Sequence, residues 1–173
     1  MSRRRIDVGG GTTLACSVSG TGPALLLMHG AEADHRMFEG LRAQLADAFT
    51  VIAYDQRDCG ETESPPRAAD LEALAQDARE LLAALGHGRA HVFGSSFGGR
   101  VAQMLAHRHS ACIESLVLGS TWALPDRLDL LNPQGFADIQ RLRARLPESA
   151  GELAEWFLPA AWLETHPQYQ DLF

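Results

Sequence analysis

Four short apolar runs, separated by segments with helical spacing, constrain this chain more than any other feature. Ala24-Leu25-Leu26-Leu27-Met28 is continuously apolar, residues 50–54 and 90–93 read as two further buried strands, and residues 113–119 as a fourth strand. Runs of that kind are expected of parallel strands covered on both faces. Between the first two, Phe38, Leu41, Leu45 and Phe49 recur at helical spacing, with Asp34 as N-cap. Between the next two, Leu71, Leu74, Ala78, Leu81, Leu82 and Leu85 form one face, bounded by Asp70 and Gly86. After the third run, a helix starting at Ser96 presents Gly99, Ala102, Leu105 and Ala106, small enough to lie close on a sheet. Strands joined by helices at this spacing predict βαβ units and a mostly parallel sheet with helices on both faces. Residues 12–19 alternate in part and read as an edge strand, hairpinned with residues 6–8 through Gly9 to Gly11. From 123 to 173 the pattern is helical, through Phe136, Ile139, Leu142, Leu146, Leu153, Trp156, Phe157, Trp162 and Leu163, with no further strand.

Composition narrows the function classes. Net charge is −7, against a nucleic-acid partner. No apolar stretch reaches the roughly 18 residues of a membrane span. The basic start Arg3-Arg4-Arg5 is not followed by an apolar run, so it reads as a solvated tail and not a signal peptide. Cys16, Cys59 and Cys112 are odd in number and scattered, which predicts reduced thiols in a cytoplasmic protein, with no metal site and no cofactor.

The chemistry-bearing stretch is Val92-Phe93-Gly94-Ser95-Ser96-Phe97-Gly98-Gly99-Arg100. A serine placed where a strand turns sharply into a helix has its hydroxyl pushed out of the sheet. Side chains two residues to either side would collide, which calls for Gly94 and Gly98. The helix aims free N–H groups and its positive dipole end at whatever binds beside the hydroxyl. This is a nucleophile elbow, with Ser96 as candidate nucleophile.

Three blocks in order now carry a resemblance: Leu27-Met28-His29-Gly30-Ala31, then Tyr54-Asp55-Gln56-Arg57-Asp58-Cys59-Gly60, then Gly94-Ser95-Ser96-Phe97-Gly98-Gly99. Together they resemble the α/β-hydrolase fold superfamily, in its lid-bearing serine esterase and lactonase-like branch, over residues 6–122. The resemblance implies an α/β-hydrolase core in residues 1–122 and the start of a helical lid in 123–173. It implies an acyl-enzyme mechanism on a carboxylic ester or lactone, with oxyanion donors at the N–H groups of Phe97 and Ala31, each worth about 3 kcal/mol in the transition state. It places His29 as a shaper of the oxyanion loop beside the substrate, and Trp122 among substrate-binding residues. Asp55, Arg57 and Asp58 are expected to brace their loop by hydrogen bonds and an ion pair, Gly60 to fill a left-handed turn, and Cys59 to pack. His35 is expected at the surface. Haloalkane dehalogenases and epoxide hydrolases of this superfamily carry aspartate at the elbow, which Ser96 argues against.

The pattern departs from the family after the serine. The order expected is Ser, then Asp or Glu, then His. His166 stands at a helix end, and Gly119-Ser120-Thr121-Trp122 holds no carboxylate. The expectation is that the last strands, the acid and the histidine come from a second polypeptide or missing C-terminal segment. The alternatives are a catalytically silent ligand-binding member of the fold, or C–C bond or peptide hydrolysis at the same site.

Overall fold

The computed structural model describes residues 2–31, 33–66 and 68–167. The chain divides into two compact units, Met1–Leu124 and Pro125–Phe173.

The first unit is built on a six-stranded sheet. Its strands are β1 (Ser2–Gly9), β2 (Thr12–Ser19), β3 (Ala24–Met28), β4 (Thr50–Tyr54), β5 (Ala90–Ser95) and β6 (Ile113–Gly119), in spatial order β1-β2-β4-β3-β5-β6. The pairs β4–β3, β3–β5 and β5–β6 are parallel, while β1–β2 and β2–β4 are antiparallel. Only β2, joined to β1 by a tight glycine turn, runs against the rest.

Alternate side chains of the central strands go to opposite layers. Leu26, Met28, Ile52, Tyr54 and Val92 pack with Leu74, Ala78, Leu81, Val101 and Leu105 of α2 (Leu71–Ala84) and α3 (Phe97–Arg108). Leu27, Val51 and Ala53 pack with Phe38 on the other face. Phe38 closes a 3-10 turn, His35–Phe38, that leads into α1 (Glu39–Leu45). Asp34 caps that turn by accepting from the Arg36 N–H. Asp70 caps α2 by accepting from the Ala73 N–H, and Gly86 follows its end at φ 83°.

Two expectations are corrected here. Arg3–Arg5 are not a solvated tail. They lie in β1, where Arg3 pairs with Glu61 at 3.4 Å and Arg5 with Glu63 at 2.5 Å. The alternation of strand positions puts Arg3 and Arg5 on one face, a pattern hidden within three like charges. The helix expected through Phe49 stops at Leu45, and Leu41 is exposed.

β6 is an edge strand, and among the described residues nothing pairs with its outer side. Its Val117 and Leu118 are 56% and 43% exposed. The second unit carries α4 (Leu128–Leu131), α5 (Pro133–Arg143), α6 (Ala150–Phe157) and α7 (Ala160–Thr165). Its buried side chains include Leu142, Leu153 and Leu163, and the Ser149 hydroxyl donates to the Leu142 carbonyl. No helix among the described residues is long and apolar enough to cross a membrane.

A buried guanidinium–carboxylate pair joins the loop after β4 to α2. Arg57 Nε and an Nη reach the two oxygens of Asp77 at 2.6 and 2.8 Å, with side chains 9% and 5% exposed. Removing one partner strands a buried charge, whereas replacing both with apolar side chains does not. We expect Asp77→Ala to cost about 3–5 kcal/mol in urea unfolding. The double variant Arg57→Met/Asp77→Leu should fall much closer to the unsubstituted protein. Equal losses in the two would contradict the buried-charge account.

Candidate active site

Ser96 sits at the junction of β5 and α3 with φ 51° and ψ −117°, a backbone conformation that non-glycine residues rarely adopt. It occupies the N-cap position of α3, yet its hydroxyl makes no capping hydrogen bond. The turn is held from two sides. The Ser96 N–H donates to the Gly119 carbonyl at 2.9 Å, and the Thr121 hydroxyl donates to the Ser96 carbonyl at 2.7 Å.

The glycines around it are required by contact. A Cβ at Gly94 would lie 2.6 Å from the Gly98 carbonyl oxygen. One at Gly98 would lie 2.3 and 2.4 Å from the carbonyl oxygens of Met28 and His29. A Cβ at Gly30 would stand 3.4 Å from the Ser96 Cβ and 4.0 Å from its Oγ, so the loop after β3 runs directly beside the hydroxyl. That loop carries Ala31. Among the described residues, neither the Ala31 N–H nor the Phe97 N–H donates to a protein acceptor. The N–H of Phe97 opens α3, where the helix dipole adds positive potential.

His29 is fully buried. Its Nε2 accepts from the Gln56 backbone N–H at 3.1 Å, so its proton is on Nδ1, which donates to the Gly30 carbonyl at 2.7 Å. Both nitrogens are occupied, and the ring has neither a lone pair for Ser96 nor a donor for a ligand. Burial lowers its pKa below 6.5, only partly offset by the Gly30 bond.

The loop after β4 braces itself as the sequence implied. Asp55 is fully buried; its Oδ1 accepts from the backbone N–H and the Nδ1 of His35, each at 2.7 Å, and its Oδ2 from the Glu61 N–H at 2.8 Å. Gly60 has φ 52°, and a Cβ there would meet Asp55 Oδ2 at 2.2 Å. Asp58 accepts from the Ser64 hydroxyl. His35, expected at the surface, is instead 5% exposed against Asp55. Its carboxylate partner follows β4, twenty residues along the chain, where no local pattern shows it. Asp34, His35 and Asp55 bring three donor atoms within 4.8 Å of one another. A cation there would compete with the Arg36 guanidinium on Asp34 and with the N–H groups on Asp55.

Trp122 follows β6, half-buried. The Arg100 guanidinium lies over its ring, 5.1 Å from the centroid. Gln103 holds this exit segment, donating to the Trp122 carbonyl and accepting from the Leu124 N–H. Sequence reasoning missed Gln56, Gln103 and Thr121. For Gln56 a signal existed, a long polar side chain two residues past an apolar strand end. His166 caps α7 and bonds Thr165 at 2.9 Å.

A family model of the alpha/beta hydrolase fold matches residues 23–173. The chain belongs to the α/β-hydrolase fold family. It is 38% identical to a fluoroacetate dehalogenase from a Burkholderia species, over 67% of this chain and 40% of that protein. It is 34% identical to the 2-(acetamidomethylene)succinate hydrolase of Mesorhizobium japonicum, over 66% of this chain and 41% of that protein. Among solved structures, a thermophilic esterase from Thermogutta terrifontis aligns with TM-score 0.77 and 32% identity, over 99% of this chain and 64% of that chain. The chain thus spans about 40% of the length of these curated relatives.

Two outcomes check this local geometry. Ala favours a helix over Gly by about 1 kcal/mol, yet Gly98→Ala should lower the melting temperature, because two backbone carbonyls block its Cβ. Gly40→Ala, where a Cβ meets nothing within 4 Å, should raise it. For His29, the unfolded chain takes up a proton near pH 6.5 that the native ring refuses. Stability should therefore be full above that value and decline as pH falls toward the lowered native pKa. His29→Gln should flatten the decline in unfolding free energy against pH, and an unchanged slope would count against the buried neutral ring.

Proposed function

We propose that this chain supplies the nucleophile and oxyanion donors of a serine hydrolase that cleaves a small carboxylic ester or lactone. The observation carrying this reading is Ser96 itself. Its strained backbone projects an uncapped hydroxyl beside Gly30, with the Ala31 and Phe97 N–H groups unspent among the described residues. In the proposed reaction Ser96 Oγ attacks the acyl carbon as its proton passes to a base. The tetrahedral oxyanion is held by the two N–H groups, the leaving oxygen is protonated, and water releases the acyl group by the reverse path.

The base is not His29, whose nitrogens are both engaged. We place the base and its carboxylate in polypeptide outside these 173 residues, which the 40% coverage of the curated relatives supports. Serine at the elbow favours acyl chemistry over the aspartate-dependent dehalogenase and epoxide hydrolase reactions. The esterase likeness points the same way, at 32% identity. A preference for small apolar substrates is part of this proposal, with Trp122 proposed to line the acyl side.

The native assembly should label with a fluorophosphonate probe at Ser96, and Ser96→Ala should abolish labelling. Native mass spectrometry of the labelled species should show polypeptide beyond this chain. Absence of labelling in the native assembly would favour a silent ligand-binding member of the fold.

A further inference from the structure

The loop that bears the Ala31 donor is gripped at both of its ends by two consecutive residues of another strand's exit. At the near end, Gln56 makes two bonds to His29: its backbone N–H to Nε2 at 3.1 Å, and its side-chain Nε2 to the carbonyl at 2.7 Å. His29 in turn donates from Nδ1 to the Gly30 carbonyl. At the far end, Asp55 Oδ1 accepts from the His35 N–H and from the His35 ring. Asp55 and Gln56 are 0% and 2% exposed, so water does not compete for these bonds. Between the two grips lie residues 30–34, and Gly30 backs directly onto Ser96.

From this geometry we infer that Asp55 and Gln56 are positioning residues for the oxyanion site. By fixing His29 and His35, they hold the residue 31 N–H where the oxygen of the tetrahedral intermediate forms. The inference rests on the serine-hydrolase reading. It differs from simple bracing of the fold in what it does to catalysis. A donor preset for the transition state affects kcat and leaves ground-state binding almost untouched. Gln56 is the sharper of the two probes. Its amide meets the His29 carbonyl through one hydrogen, and its Oε1 is buried with no hydrogen-bond partner. Gln56→Met keeps the length of the side chain, removes the donor and orphans no further oxygen on residue 56.

The test uses the active native assembly with p-nitrophenyl acetate as substrate and phenylboronic acid as tetrahedral mimic. For Gln56→Met, kcat should fall about tenfold to a hundredfold, the scale set by small misplacements of catalytic groups. KM should stay within about twofold, and the boronic acid inhibition constant should rise in step with the loss of kcat. Amide hydrogen exchange is the second readout, applied also to Asp55→Asn, which risks the fold more. Exchange should quicken in residues 30–35 while α2 stays protected. An unchanged kcat, a loss confined to KM, or boronate affinity that does not follow kcat overturns the inference in an assembly whose Ser96 labels. An unsubstituted assembly that neither labels nor turns over the ester overturns the serine-hydrolase reading itself, and the positioning role with it.

Discussion

The structure depends on one close approach. Helix α3 begins so near the end of β3 that Gly98 rests against the carbonyls of Met28 and His29, and Gly94 against Gly98 and Gly99. No side chain fits between these backbones. That contact sets the sharp reversal at Ser96, aims the first N–H groups of the helix past the serine, and brings the β3 loop alongside. Burial of the two apolar layers stabilises the sheet, but it is backbone-to-backbone packing at glycine that fixes where the hydroxyl stands. Helix propensity, which disfavours glycine by about 1 kcal/mol, is overridden there by sterics.

Much of this was legible in the sequence. The parallel strands were readable because each is short and mostly apolar and lies between helical segments, and α2 because its apolar face and its Asp70 and Gly86 signals agree. The elbow was readable because glycine at both flanks has a steric cause. Less legible were features decided by partners far along the chain. Arg3 and Arg5 became strand residues because β1 ladders with β2, opposite Ser17 and Ala15. His35 went inside because Asp55 receives it. Gln56 gave no periodic signal, since its role lies in two bonds to a single histidine.

His29 shows how residue type and chemical availability part company. It stands near the serine in the fold and belongs to the residue class that most often serves as a base. Two hydrogen bonds and full burial hold it neutral and occupied. Its contribution passes through the shape of the loop it begins.

The edge strand β6 reaches the site by two routes: Gly119 accepts from the Ser96 N–H, and Thr121 reaches the Ser96 carbonyl. Among the described residues, nothing pairs with the outer side of the same strand. One short exit segment, from Gly119 to Thr121, thus serves both as the end of an outermost described strand and as the seat of the nucleophile.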